Sequence, residues 1–497
     1  MAYIEKRYVK KDSIERREYQ VSLAEQAAAE NCIVVLPTGL GKTAIALQVI
    51  AEYLAKGRGG ALFLAPTRVL VNQHYEFLRE CLTLEDISLI TGGGTVQKRT
   101  KLWNNSVVCA TPEIARNDLG RGIVSSGQFS LVIFDEVHRT VGDYAYSGIA
   151  ARFEDADARI VGMTATLPSE IDKATEILTK LRISSVAERT EESPDVKEYT
   201  QETKTEWESV DLPPELVAVQ TRLKVALDKR YAMLRGNPNL SVGQQSLSAL
   251  LRLRPQIIYR ERRSAMPLFA AIRIHYALNI LEAHGITPFL KFCGRTKAKK
   301  GSGIKNLFED ADIVGAMRIA KEAQESGIEH SKIPKLEEIM RKSSGKTLIF
   351  TSYRDSVDMI HEHLTGMGIP SVALVGKAGE TGLNQKKQIE AVQGFRDGRY
   401  RAMIATRVGE EGLDIEEVNQ VIFYDNVPSS IRFVQRRGRT GRKSTGRLIV
   451  LIAKNTIDER YRWIGNRKIK AAKSMGDKMA GVLEQNRESA EKLDKFM

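Results

Sequence analysis

A short apolar run, CIVVL at residues 32–36, breaks directly into PTGLGKT at residues 37–43, and no other feature constrains the chain as much. The residues that follow, AIALQVIAEYLA, carry a helical pattern. A buried strand, a glycine turn and the first turn of a helix bring backbone N–H groups and the positive end of the helix to one point, which suits a bound phosphate. Thr38, Gly39 and Gly41 form the turn, where glycine lets the backbone approach the anion closely. Lys42 is placed to reach β- and γ-phosphates and Thr43 to hold Mg²⁺. The strict spacing GxxxxGK is not met, because Leu36 stands where the first glycine belongs, yet the core GxGKT is intact.

A second half-site follows about ninety residues later, in FSLVIFDEVHR at residues 129–139. The run LVIF reads as a buried parallel strand, and it ends on Asp135 and Glu136. A carboxylate at a strand end beside a phosphate loop can hold Mg²⁺ through water, and Asp135 is assigned that role. Glu136 is then the general base that activates the attacking water. IVGMTATLP at residues 160–168 is a further strand, and the hydroxyls of Thr164 and Thr166 are placed to bond the acidic motif, as is His138. Between these segments lie ALFLAPTRVLVNQ, TGG and VVCATPEIA, strands or turns whose ends carry Thr67, Arg68 and Thr111. Such hydroxyls and backbone N–H groups are where a tracked polymer's phosphates would be met.

Five more strand-like runs occupy the C-terminal part: TLIF near residue 348, SVALVG, RAMIAT, VNQVIFYDN and TGRLIVLIA. Alternating with helical segments, they argue for a second parallel sheet covered by helices. This part has no phosphate loop. It has QRRGRTGR at residues 435–442, a dense guanidinium cluster that a polyanion would balance. Arg439 and Arg442 are expected to act as arginine fingers across a cleft, with Gln435 on the nucleotide or the acidic motif and Gly412 and Asp414 at the lobe interface.

Residues 201–342 read as a mostly helical insert between the two α/β lobes. The expected domains are 1–200, 201–342, 343–465 and a basic helical tail at 466–497. LFAAIRIHYALNILEAHG at 268–285 and NLFEDADIVGAMRIAKEAQESG at 306–327 are amphipathic at helical spacing, and KIPKLEEIMRK at 332–342 extends the series. Two basic clusters stand out, RLRPQIIYRERR with Arg262 and Arg263, and KFCGRTKAKKGSGIK with Lys299 and Lys300. A helical arm with this charge would grip nucleic acid through its phosphates, while solvated helix faces give the same pattern.

Composition agrees with this reading. Lys and Arg number 75 against 62 for Asp and Glu, a formal charge of +13 that favours polyanionic partners. Four scattered cysteines, with no CxxC pair, exclude a disulfide scaffold and disfavour structural zinc. No run approaches about 18 uninterrupted apolar residues, so no membrane partner is expected. The opening MAYIEKRYVKKDSIERREYQ is too polar for a secretory signal, which makes an intracellular, cytoplasmic location the expectation.

The set PTGLGKT, PTR, TPE, DEVH, TAT, GEEGLD and QRRGRTGR resembles the superfamily 2 helicases. More narrowly, VIFDEVHRTVGDYAYSGIA, RVGEEGLDI and NVPSSIRFVQRRGRTGR are similar to the helicase portion of the archaeal Hef helicase-nucleases, relatives of the FANCM translocases. The resemblance covers roughly residues 14–465. It implies two RecA-like lobes of the P-loop NTPase fold with a helical domain inserted between them. It also implies ATP and Mg²⁺ as cofactors, and remodelling of forks and four-way junctions with 3′ to 5′ polarity in DNA repair. Partners would be branched, duplex and single-stranded DNA, with replication or repair proteins. Gln20, after Tyr19, resembles the adenine-recognition element and would bond the base edge. The acidic motif departs from the family's DEAH at Val137, with little effect expected because that side chain points away from the chemistry. The tail shows no nuclease-like carboxylate cluster, so nuclease activity is not supported. Two neighbouring readings share the same ATP chemistry: a double-stranded RNA translocase or sensor, and a DNA translocase that separates strands poorly. A binding scaffold with a dead ATPase is disfavoured, because Lys42, Glu136 and both candidate fingers are present.

Overall fold

Strands β1 (Cys32–Val35), β2 (Gly60–Leu64), β3 (Ile87–Ile90), β4 (Val107–Ala110), β5 (Phe129–Asp135), β6 (Arg159–Thr164) and β7 (Ser185–Glu188) form one parallel sheet in the order β3-β4-β2-β5-β6-β1-β7. This is seen in a computed structural model that describes residues 2–57, 59–200, 203–299, 301–376, 385–406, 418–426 and 446–494. Strands β1, β4 and β5 are buried along their whole length, as their unbroken apolar runs require when helices cover both faces. Val34, Phe63 and Ile133 pack into one helical layer. Their neighbours Ile33, Leu62 and Val132 pack into the other.

Because the strands are parallel, their C-terminal ends share one rim. The strand order then divides that rim. The ends of β1, β5 and β6 lie side by side and carry the phosphate loop, Asp135 and Thr164. The ends of β2, β4 and β3 lie side by side on the other half and lead to Thr67, Thr111 and the TGG turn.

The second sheet, β8 (Thr203–Val210), β9 (Thr347–Phe350), β10 (Ser371–Leu374), β11 (Ala402–Ala405), β12 (Gln420–Phe423) and β13 (Gly446–Ala453), is also parallel, in the order β10-β11-β9-β12-β13-β8. Its edge corrects the expected boundary at residue 201. Strand β8 precedes the helical insert in sequence, yet it pairs with β13 from Thr203↔Gly446 to Val210↔Ala453. The Arg447 guanidinium grips Glu206 with two hydrogen bonds, 3.0 and 2.6 Å, and Lys454 reaches Asp211 at 2.9 Å. A polar, charged strand of matching length covers an edge that would otherwise be open for pairing with other chains.

The insert itself is helical, over Pro214–Arg235, Leu247–Tyr259, Ala265–His284, Ile286–Lys297, Ser302–Glu309 and Ala311–Glu325. Its core gathers Leu223, Tyr231, Leu268, Leu281, Phe289 and Ala316. The single helix expected over 306–327 is two, because Asp310 ends one and caps the next, accepting from the N–H of Asp312 at 2.9 Å and of Ile313 at 3.4 Å. The stretch Arg262–His284 is long and apolar enough to cross a membrane, the one such helix among the described residues, and half of its most apolar window is buried in the protein. The helix Lys332–Lys342, expected in the insert, packs instead in the second lobe, with Ile333, Leu336 and Met340 against Ile349, Ile404 and Ile422.

A buried polar junction joins insert and second lobe. Lys332, fully buried, donates to the carbonyls of Ala283 at 3.1 Å and Tyr424 at 2.8 Å, and pairs with Asp458 at 2.5 Å. Glu282 accepts from Gln220 at 2.8 Å and from the N–H of Ile457 at 2.7 Å. Each buried charge therefore has partners from another element, as a dry environment demands. The chain then runs through the helix Ile457–Lys473 into Met475–Asp494, whose Met475 and Met479 pack in the first lobe. All four cysteines are buried and unbridged, in keeping with the sequence.

Candidate active site

The glycines of the phosphate loop are required by its backbone. Gly39 and Gly41 sit at φ 91° and 85°, and Gly41 caps the helix Lys42–Ala55. A Cβ on Gly41 would lie 2.4 Å from the Gln20 amide nitrogen, so a side chain is excluded there twice over. Gln20 is buried and donates to the Leu40 carbonyl at 3.0 Å, beside the Tyr19 hydroxyl, which donates to the same carbonyl at 2.8 Å. The Gln20 side-chain oxygen is buried and has no hydrogen-bond partner among the described residues. An acceptor left open beside the loop fits the exocyclic amine of adenine. Lys42 donates to the Leu36 carbonyl at 3.0 Å, and Thr38 lies partly exposed in the turn.

Thr43 and Asp135 converge on one imidazole. The Thr43 hydroxyl is 3.3 Å from His74 Nδ1, and Asp135 Oδ2 is 2.9 Å from His74 Nε2. A carboxylate only accepts, so Nε2 carries a proton toward Asp135, and the Thr43 hydroxyl meets the other ring nitrogen. Burial works to raise the Asp135 carboxyl, but the His74 hydrogen bond, with His74 and Lys42 charge and the Glu136 N–H, outweighs it and holds Asp135 below the ordinary range. A hydroxyl and an ionised carboxylate on either side of this imidazole are hard oxygen donors of the kind Mg²⁺ accepts alongside waters and phosphates. Thr43 and Asp135 therefore fit that ion.

Glu136 leaves strand β5 in the left-handed region, at φ 52° and ψ 51°, a conformation rare for a residue with a side chain and concentrated at functional sites. Its carboxylate lies 3.2 Å from His138 Nδ1, which lies 3.2 Å from the Thr164 hydroxyl. Thr164 in turn donates to the Thr166 carbonyl at 2.9 Å. The expected tie between the acidic motif and the TAT segment thus runs through His138 and Thr164, while the Thr166 hydroxyl turns to the Leu167 carbonyl. Val137 is fully buried and rests on Gly162, where a Cβ would meet it at 2.9 Å. It points away from the rim, as expected from the sequence.

Two residues escaped sequence reasoning. His74 lies on the buried face of the helix Arg68–Cys81, in line with Val71, Leu78 and Cys81. A histidine interrupting an apolar stripe was the available signal. Tyr146 is buried, donates to the Asp135 carbonyl at 2.7 Å and packs edge-on against Phe134, bracing the end of β5. Nothing in its sequence surroundings points to that contact.

On the other half of the rim, Thr67 caps its helix by accepting from the Leu70 N–H at 3.2 Å, Arg68 is exposed with its guanidinium over Gly92, and Thr111 is buried at the head of the helix Pro112–Gly120. In the insert, Arg262 and Arg263 are exposed on a short 3₁₀ turn, and Lys299 is exposed beside an open cavity of about 570 Å³. Asn306 donates to the Met266 sulfur at 3.2 Å, which places both basic turns at the same end of the insert. Lys300, Gly412, Asp414, Gln435, Arg439 and Arg442 lie outside the described residues.

Residues 17–174 match the DEAD/DEAH box helicase family, and residues 331–444 match the helicase conserved C-terminal domain. The crystal structure of the Pyrococcus furiosus Hef helicase domain is 35% identical with a TM-score of 0.67, covering 92% of this chain and 99% of that one. A Methanocaldococcus jannaschii protein named as an ATP-dependent RNA helicase is 35% identical, over 92% of this chain and 60% of its own length. The ATP-dependent DNA helicase mph1 of Neurospora crassa is 30% identical, over 90% of this chain and 41% of its own length. The chain thus spans between about two fifths and three fifths of these two relatives.

Proposed function

The chain belongs to the superfamily 2 helicases of the Hef and FANCM group, and on that premise we propose that it is an ATP-hydrolysing motor that remodels branched DNA in repair. The observation that carries the catalytic half is the convergence of Thr43, His74 and Asp135 beside the phosphate loop, with Glu136 one residue on.

Lys42 and the loop N–H groups hold the phosphates, and Gln20 bonds the adenine edge through its open oxygen. Thr43 and Asp135 would hold Mg²⁺, which would supply charge neutralisation at the phosphates when bound. Glu136 takes the proton of the attacking water, and its charge state is relayed through His138 to Thr164. Arg439 and Arg442 are assigned to complete the site from the second lobe, with Gln435, Gly412 and Asp414 at the same cleft. Catalysis is then mainly positioning and charge stabilisation.

The polymer side draws on Thr67, Arg68 and Thr111 at the first lobe, and on Arg262, Arg263, Lys299 and Lys300 in the insert. The Lys332 junction joins the insert to the second lobe, so closure over ATP would carry the arm with that lobe. Stepping in the 3′ to 5′ direction, on forks and four-way junctions inside the cell, completes the reading. A duplex-RNA motor is the second reading, favoured by the name of the Methanocaldococcus relative. ATP turnover measured with forked DNA and with matched RNA duplexes separates them. Stimulation by forked DNA above RNA supports the proposal, and stimulation by RNA alone replaces it with the second reading.

A further inference from the structure

The helix Ile457–Lys473 presents one exposed stripe that no packing among the described residues covers. Arg460, Trp463, Arg467 and Lys470 follow one another at spacings of three and four residues, so they stand on one face, and all four are exposed. Trp463 is 70% exposed and has Ile464, 41% exposed, beside it. The other two tryptophans are placed differently. Trp103 is 1% exposed in the first lobe, and Trp207 lies under the Arg462 guanidinium at 4.7 Å. Among the described residues, Arg460, Arg467 and Lys470 make no ion pair. Of the two acids in the first turn of the helix, Asp458 is buried against Lys332 and Glu459 is engaged by the Asn455 N–H at 2.9 Å.

The place of this helix gives the stripe its meaning. It starts at the buried junction, where the Ile457 N–H meets Glu282 of the insert. Arg460 is near enough to His275 of the insert helix that, after burial, its charge helps push that imidazole down to about 4. Farther along, Lys468 reaches Glu170 of the first lobe at 3.5 Å, just beyond the TAT segment. The stripe therefore runs from the insert to the first lobe over about 15 Å of helix. A large aromatic ring left in water costs hydrophobic free energy, and interleaving it with unpaired cations is how proteins hold single strands: bases stack, phosphates pair.

We propose that Trp463 is a stacking platform for an unpaired base of single-stranded nucleic acid, with Arg460, Arg467 and Lys470 on the adjoining phosphates. This rests on the nucleic-acid motor reading above and adds to it the place where a separated strand is held between insert and first lobe. The base would lie on the indole face, with Ile464 as an apolar shoulder.

The test uses the whole chain, a labelled thymidine oligonucleotide and the variants Trp463→Phe, Trp463→Ala and Arg467→Gln. Oligonucleotide should quench tryptophan emission of the parent, and most of that quench should vanish in Trp463→Phe, whose ring still stacks and keeps affinity within about threefold. Trp463→Ala should weaken binding about tenfold with thermal melting unchanged. Its salt dependence should stay that of the parent, whereas Arg467→Gln should lower the slope of log K against log salt by about 0.7. Unquenched emission at saturation, or parent-like affinity in Trp463→Ala, overturns the proposal. So does a Trp463→Ala variant that binds normally but loses a dimer in sedimentation, which would make the stripe a contact between copies. If forks are still bound and remodelled in those cases, only the stacking site falls. A parent that binds neither DNA nor RNA removes the motor reading as well.

Discussion

The nucleotide half of the first-lobe rim and the basic end of the insert are both rich in charge, but they hold it in opposite ways. At the rim, Thr43, His74 and Asp135 form one triad and Glu136, His138 and Thr164 another, tied at 2.9 to 3.3 Å, half of these residues buried and the rest half-buried. At the insert, Arg262, Arg263 and Lys299 stand in solvent on short turns. The first arrangement is preorganised for one small ligand with fixed geometry. The second suits a long polyanion whose phosphates accept many geometries, and whose binding is governed by released counterions. Charge is paired where geometry is held, and stands in solvent where it is not.

That contrast sets the sizes of the expected effects. Lys42→Ala should be the most damaging change, lowering ATP turnover at least about a hundredfold and abolishing fork conversion; surviving turnover would remove the phosphate-loop assignment. Glu136→Gln should keep nucleotide binding, measured with a fluorescent ATP analogue, while turnover falls about 10²-fold or more. A variant that neither binds nor turns over would mean that Glu136 shapes the loop rather than serving as base. His74→Ala should raise the Mg²⁺ concentration needed for nucleotide binding about 10-fold or more. His74→Gln, which can still donate to Asp135, should recover part of that loss, and equal defects in both variants would reduce His74 to a packing residue.

Changes at the insert should be milder and salt-dependent. Arg262→Gln with Arg263→Gln should weaken fork binding several-fold and lower the salt slope by about 2. Unchanged affinity and slope would make those arginines solvated surface and remove the arm from the account.

Glu188 tests an environment between the two. It sits on β7, partly buried under the C-terminal helix, where Gly476 packs so closely that a Cβ would meet its carboxylate at 1.7 Å. Burial, then the charge of Asp477, raises its carboxyl to about 7. The folded protein thus holds a proton that the unfolded chain has released, and stability falls as pH rises from about 4.5 to about 7. Glu188→Gln should remove that loss, gaining on the order of 1–2 kcal/mol at pH 8 and little at pH 4, after allowance for partial exposure. Equal melting shifts at both pH values would contradict the assignment.

What could be read from sequence follows the same division. The phosphate loop and acidic motif were legible because each is local: strand, turn and helix within a dozen residues fix the geometry. His74 and Tyr146 were not, since their roles exist only once helix Arg68–Cys81 and the segment after β5 pack against the rim. Strand β8 was assigned to the insert because its pairing is remote, with Glu206 and Arg447 separated by 241 residues. The break at Asp310 was hidden inside a continuous amphipathic pattern, where one capping carboxylate outweighs periodicity. Trp463 lay at the end of the stretch assigned to the second lobe, where nothing local singles it out, and its exposure became visible with the fold.

The central claim is that hydrolysis at the first-lobe rim moves nucleic acid gripped elsewhere. It is tested most directly by following a labelled synthetic DNA fork with and without ATP, beside matched RNA duplexes, in the parent and in Glu136→Gln. The account predicts ATP-dependent conversion of the fork, little action on RNA, and no conversion by the variant despite retained ATP binding. ATP turnover without fork conversion, or conversion confined to RNA duplexes, would contradict it.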